Sequence, residues 1–212
     1  MTMLDHVAVI APDLATGAAW VREVLGVEPL PGGEHPQMGT HNRLLRLGDD
    51  VFLEVIAVNP AAPQPPQRRW FGLDDTTAVN RHWQSGLRLR AYVARCDGLA
   101  ATIGNRGETF GTPMRATRGD LSWLFGVRPD GALPGGGALP YLMDWEQRGT
   151  PAPTMRDFGL KLRELVIETP DPDGIRSTLE AIGMARTPRI ERGAGVRLSA
   201  IIDTPNGLRT LN

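Results

Sequence analysis

Glu54 lies among Phe52, Leu53, Val55, Ile56 and Val58, so both faces of the run that carries it are apolar. A carboxylate buried there costs several kcal/mol unless it is paired or metal-bound. Its presence needs a cause. His6, a second candidate metal donor, shares a strand face with Leu4, Ala8 and Ile10 in another short apolar run. The alternative for Glu54 is an ion pair with Arg90 or Arg43, and the alternative for His6 is a core histidine bonded to a backbone carbonyl. The segment from His35 to Asn42 collects further chemistry: His35, Thr40, His41 and Asn42 supply donors, acceptors and a base that titrates near neutrality. It reads either as substrate contact, with His41 in general acid/base work, or as a hydrogen-bonded turn that fixes the next strand. His41 is in phase with Arg43, Leu45 and Leu47. Trp123 and Trp145 could wall an apolar pocket or serve as ordinary core. Trp70-Phe71 is expected either as a lid over a cavity or as the anchor of a connector. His82, beside Trp83, reads as a surface helix position. Cys96 just precedes a helix cap, where a thiol pKa can fall, but no base lies near it to make a nucleophile.

Other function classes are disfavoured. The 212 residues carry Lys+Arg 23 and Asp+Glu 24, a net charge of −1, with no block of like charge. Phosphate contacts need clustered Lys and Arg, so no nucleic-acid partner is expected. Cys96 is the single cysteine, which excludes an internal disulfide or a thiolate cluster and fits a reducing, cytoplasmic location. No apolar run reaches a membrane-spanning length, and no basic region precedes an apolar stretch at the start. Gly135-Gly136-Gly137 lacks the Gly-Lys-Ser/Thr of a phosphate loop, and neither a dinucleotide fingerprint nor a nucleophile elbow occurs.

The elements that must position these residues follow from periodicity. Leu4–Ala11 suits a strand. Asp13 then caps a helix with Leu14, Ala18, Val21 and Leu25 on one face and Gly26 at its end. Strands follow at 42–47 and 51–58, joined by a turn at Gly48-Asp49-Asp50. A proline-rich connector covers 59–69, with a short helix at 76–83. The pattern restarts with a strand at 87–94, a cap at Asp97, a helical face of Leu99, Ala100 and Ile103, and strands near 112–117, 121–127 and 139–145. Asp120 is turn material. After a second linker it restarts again: a strand at 160–169, Asp171 and Pro172 opening a helix that Gly183 ends, and strands at 196–203 and 208–211. Strand, helix and several strands thus occur three times. The units are 4–58, 87–146 and 160–211, separated by the connector and short helix at 59–86 and a linker at 147–159. His6, Arg90 and Glu164 occupy matching positions in the first strand of each.

A βαβββ unit in tandem resembles the building block of the vicinal oxygen chelate (glyoxalase, bleomycin-resistance and dioxygenase) superfamily. Leu4-Asp5-His6-Val7-Ala8-Val9 and Phe52-Leu53-Glu54-Val55-Ile56 look like its first and fourth strands. Gly33–Asn42, Arg118–Trp123 and Gly137–Trp145 are similar to its glyoxalase-like subgroup of uncharacterised bacterial proteins. The resemblance implies an α+β fold, with curved mixed sheets around a cavity. It also implies metal ligands on the first and last strands of each unit, and substrates whose adjacent oxygens chelate the metal. Carried over, His6 and Glu54 match ligand positions, and an imidazole with a carboxylate suits Fe, Mn, Ni or Zn. Glu54 would then also serve catalysis. Arg90 departs from the pattern, since it cannot ligate a metal, and Glu164 would complete the set only if the first and third units face each other. Two functions follow from the resemblance. One is a small-molecule lyase, isomerase or dioxygenase using a divalent metal. The other is a metal-free cavity protein that binds an anionic or aromatic compound through Arg90, His41, Trp123 and the polar segment at His35, Thr40 and Asn42. A homodimer is expected, because an odd unit leaves strand edges unpaired.

Overall fold

The computed structural model describes residues 1–118, 121–146, 148–184 and 187–212, with Arg118 described as backbone only. The turn expected at Asp120 lies outside the described residues. The first unit comprises β1 (Met3–Ile10), α1 (Leu14–Leu25), β2 (Leu30–His35), β3 (Thr40–Arg46) and β4 (Phe52–Val58). After α2 (Thr76–Gln84), the second comprises β5 (Leu89–Arg95), α3 (Leu99–Ile103), α4 (Gly107–Phe110), β6 (Thr112–Arg118), β7 (Leu121–Val127) and β8 (Tyr141–Asp144). These strands form one eight-stranded sheet in the order β2-β3-β4-β1-β5-β8-β7-β6. Each half repeats the same order outward from its first strand, and β1 and β5 meet antiparallel at the centre. The sheet curls until its outer strands approach, and Gln37 Nε2 donates to Thr117 Oγ1 across that seam. This is the α+β architecture expected from the sequence, with a cavity inside the curl.

Helix starts follow local chemistry. Asp13 accepts from the Thr16 backbone N–H at 2.8 Å, and Asp171 accepts from that of Gly174 at 3.1 Å. The second unit differs: its N-cap is Gly98 in the left-handed region, with no side-chain cap, and Asp97 does not cap the helix. Strand β2 was not expected. Its sequence Leu-Pro-Gly-Gly-Glu-His has no alternation, but an edge strand needs only one ladder and tolerates Pro31. Gly32 is required there, since a Cβ would stand 2.1 Å from Asn42 Oδ1.

The third segment opens as the first two do, with β9 (Lys161–Thr169) and α5 (Pro172–Ala181), and then diverges. Its sheet order is β10-β9-β11-β12, with β10 (Arg189–Arg192), β11 (Arg197–Thr204) and β12 (Gly207–Leu211). β9 therefore has a neighbour on both sides, whereas β1 is followed in its own unit by β4 alone. The short, charged β10 suits an edge. This small sheet packs against the outside of the curled sheet, and one hydrophobic cluster runs from Val7, Val9 and Val55 to Leu165, Ile167 and Ile202. A second cluster fills the inside of the curl around Ile56, Trp70, Phe125 and Tyr141. No described helix is long and apolar enough to cross a membrane.

Candidate functional site

Strands β1 and β4 run parallel, pairing His6 with Phe52 and Ala8 with Glu54. The alternation that sends Val7 and Leu53 outward sends His6, Phe52 and Glu54 into the curl. There His6 Nε2 stands 3.5 Å from Glu54 Oε2, and the His6 ring stacks on Phe52 at 4.5 Å. Both partners are about 5 % exposed. Asn42 on β3 donates through Nδ2 to Glu54 Oε1 at 2.6 Å, and its own Oδ1 accepts from the Gly33 N–H at 3.0 Å. His35 and Thr40 close the β2–β3 hairpin. His35 Nδ1 is bonded to Thr40 Oγ1 at 3.1 Å, and Trp70 Nε1–H donates to the same oxygen at 3.2 Å. The polar segment is thus a strand pair with a tight turn, and β3 begins at Thr40 rather than Asn42.

Asp5 completes the site and was missed in the sequence. Period-two alternation puts it on the face opposite His6. A β-bulge between Leu4 and His6 breaks that alternation, so two consecutive residues contribute to one network. Asp5 is fully buried. Its Oδ1 holds His6 Nδ1 at 2.8 Å, and its Oδ2 accepts from Trp145 Nε1 at 2.9 Å, with Arg95 at 3.5 Å. An acidic residue inside an apolar strand was the signal that could have found it, as it found Glu54.

The electrostatics follow from this packing. Burial works against a charged imidazole, but its hydrogen bond to Asp5 and its interactions with Glu54 outweigh it, and the His6 pKa rises to about 9. Burial likewise disfavours the Glu54 carboxylate, yet His6, His35 and Asn42 hold its pKa down to about 2. At neutral pH the site is a buried imidazolium–carboxylate pair, oriented at each end by Asp5 and Asn42.

The pair faces a narrow, closely packed pocket, with a cavity of only about 20 Å³, walled by Phe52, Trp70, Phe71, Trp123, Phe125 and Trp145, with His35 and Met143. Trp70 and Phe71 are buried at 2 % and 1 % and form a wall of this pocket. Phe71 holds a left-handed backbone at φ 57, costly for a bulky residue.

Of the residues singled out in the sequence, the structure brings His6, Glu54, His35 and Trp123 to one pocket, with Asn42 and Thr40 bonded behind them. It does not bring three others there. His41 points to the other face of β3, half-buried beside Glu34 and bonded to the Val58 backbone, and burial lowers its pKa. Arg90 lines a separate cleft. Glu164 lies on the small sheet, ion-paired with Arg189 at 3.2 Å. Cys96 is buried and its thiol pKa is raised, chiefly by that burial, which is the opposite of activation.

The helix caps also correct the alignment of the two units. Counted back from the caps at Asp13 and Gly98, His6 matches Ala91, not Arg90. Across the strand pair, Glu54 then matches Tyr141. The second unit therefore offers no ligand at either position. No group of three or more His, Cys, Asp or Glu side chains among the described residues is placed to hold a metal ion. His6 and Glu54 are two donors where a metal centre normally has about three from the protein. The described residues of the site do not fit a resident divalent metal.

Comparison with known proteins agrees with the fold. A crystal structure of a hypothetical protein from Staphylococcus aureus superposes with a TM-score of 0.66 at 12% identity, covering 93% of this chain and 88% of that one. A methylmalonyl-CoA epimerase from Mycobacterium tuberculosis gives 0.41 at 19% identity, over 66% of this chain and 86% of that one. One from Streptomyces coelicolor, in complex with 2-nitronate-propionyl-CoA, gives 0.42 at 17%, over 70% and 97%. No curated protein matches the sequence. The model of the glyoxalase-like domain matches residues 4–183, and the chain belongs to that family.

Proposed function

We propose that the chain is a small-molecule enzyme that moves a proton at the His6–Glu54 pair, acting on a small, flat, largely apolar compound with a carbonyl group. The observation that carries this reading is the buried ion pair at the end of an aromatic pocket, held from both sides by Asp5 and Asn42. Such a pair costs free energy to bury, and hydrophobic residues would fill the same space at less cost. A perturbed charge pair in a pocket is a functional-site signal.

The chemistry needs no metal. Glu54 Oε2 takes the proton from the carbon next to the carbonyl. His6 Nε2–H donates to the carbonyl oxygen as negative charge gathers there, as an oxyanion donor does. Return of the proton to carbon gives an isomerised or epimerised product and restores both groups. Asp5 keeps His6 Nε2 aimed into the pocket by engaging Nδ1. Asn42 occupies Glu54 Oε1, so Oε2 meets the substrate and gives up its 3.5 Å contact with His6 Nε2 as it does so. The aromatic walls exclude water and stack on a planar compound.

The test is deuterium incorporation. Small aryl ketones are incubated with the protein in D2O, and exchange next to the carbonyl is followed by NMR. Wild type is expected to catalyse exchange, and Glu54→Gln to slow it at least ~100-fold. Binding without exchange would favour the second reading from the sequence, a protein that sequesters its ligand. Neither binding nor exchange overturns the proposal.

A further inference from the structure

The Trp70–Gly72 turn has two sides. Phe71 faces the aromatic pocket, while Gly72 faces an open cleft whose lining includes Arg68, Arg69, Asp74, Arg90 and Asp130. The acids of this cleft are committed. Asp74 Oδ1 accepts from Arg69 at 2.6 Å. Asp130 forms a two-pronged pair with Arg128, at 3.0 and 2.6 Å. Asp75 caps α2 through the Ala78 N–H at 2.8 Å.

The cations are not committed to the same extent. Arg90 is partly buried, yet among the described residues it makes no hydrogen bond or ion pair; Asp75 and Arg81 act on it only through longer-range charge. Exposed Arg81 and exposed Arg68 likewise have no bonded partner among the described residues. The backbone of Arg90 is fixed, because the glycine run packs on it so closely that a Cβ at Gly137 would stand 2.5 Å from its carbonyl oxygen. That packing accounts for Gly137, beside a cleft that Arg90 lines. A half-buried guanidinium held in place without a partner carries a desolvation cost that an anion would offset.

We propose that this cleft is an anion site, in which Arg90 takes the carboxylate or phosphate group of a small molecule, with Arg81 and Arg68 adding positive field. It lies behind the Trp70–Gly72 wall and is independent of chemistry at His6 and Glu54.

The test uses the intact chain, with inorganic phosphate and acetate as probes and chloride at matched ionic strength as the control. Binding is followed through side-chain and backbone NMR shifts. In wild type, phosphate or acetate is expected to shift signals of Arg90 and Gly136 saturably, and chloride is not. Phosphate binding much tighter than acetate assigns a phosphate-bearing molecule; comparable binding assigns a carboxylate. Arg90→Gln should weaken the probe at least tenfold, and Arg90→Lys less, because the fork is lost but the charge is kept. Arg81→Gln, at an exposed position, should weaken it two- to threefold, and this reading survives if the Arg90 variants fail to fold. Absence of saturable shifts in wild type, unchanged affinity in Arg90→Gln, or loss of binding in His6→Ala but not in Arg90→Gln overturns the proposal.

Discussion

Counted back from its helix cap, the first half of the curled sheet has His6 where the second has Ala91, and Glu54 where the second has Tyr141. Strand order and pairing are otherwise the same on both sides of the β1–β5 junction. The second half fills its share of the cavity with Phe125, Tyr141 and Met143, and the Tyr141 ring packs on Phe71 at 4.7 Å and on Phe125 at 5.3 Å. The Tyr141 hydroxyl is used in structure: it accepts from the Phe71 N–H at 2.9 Å and donates to Ala132 O at 3.0 Å, while Trp145 Nε1 donates to Asp5 of the first half. A repeated fold thus carries chemistry in one repeat and packing in the other. The contrast also explains why the second half adds no donor at the positions that match His6 and Glu54. A metal centre drawing ligands from both units needs polar residues in both.

The contrast can be broken most directly at Asp5. Asp5→Ala removes the partner of a buried imidazolium and strands Trp145 Nε1, so a loss of about 3–5 kcal/mol is expected in urea unfolding. A loss under 1 kcal/mol would mean that the network does not hold the first half together. In the second half, Tyr141→Phe keeps the ring and removes two hydrogen bonds, with an expected cost of about 1–2 kcal/mol. A larger cost than that of Asp5→Ala would reverse the assignment of roles.

The pH dependence sharpens the same point. The Glu54 pKa is lowered from 4.5 to about 2, so its contribution is present above pH 4.5 and is lost as pH falls towards 2. The His6 pKa is raised from 6.5 to about 9, so its contribution is present below pH 6.5 and is lost as pH rises towards 9. The pair therefore stabilises the fold most between pH 4.5 and 6.5. Unfolding midpoints measured from pH 2 to 9 should show both limbs in wild type. Glu54→Gln should abolish its share of the acid limb and make the alkaline limb shallower, since Asp5 remains beside His6. Identical profiles would show that the two groups do not interact.

The smallest expected effect is that of a chelator. With no metal-holding group among the described residues, EDTA should shift the melting temperature by less than about 1 °C, since a ligand stabilises the fold only in proportion to its occupancy. Near one metal per chain by plasma mass spectrometry, lost in His6→Ala, would show that donors beyond His6 and Glu54 complete a centre.

The buried demand of Glu54 and the place of His6 were legible in the sequence, because a charge inside an apolar run is visible without coordinates. Strand and helix starts followed from alternation, from Asp13 and Asp171 as caps, and from glycines at helix ends. Strand β2 was not legible, since an edge strand is held by its neighbour rather than by its own pattern. Asp5 was hidden by a bulge, which strict alternation cannot anticipate.

The amino-acid order by itself therefore determined the repeated strand–helix–strand plan, the family resemblance and the core of the polar site, because all three rest on local periodicity and on the cost of burying charge. Only the tertiary structure decided which face His41 takes, that Arg90 opens into a second cleft, and that Glu164 belongs to a different sheet. Those outcomes depend on a bulge, on a helix cap one residue later in the second unit, and on strand order in the third. Each is set by long-range pairing that no local pattern carries.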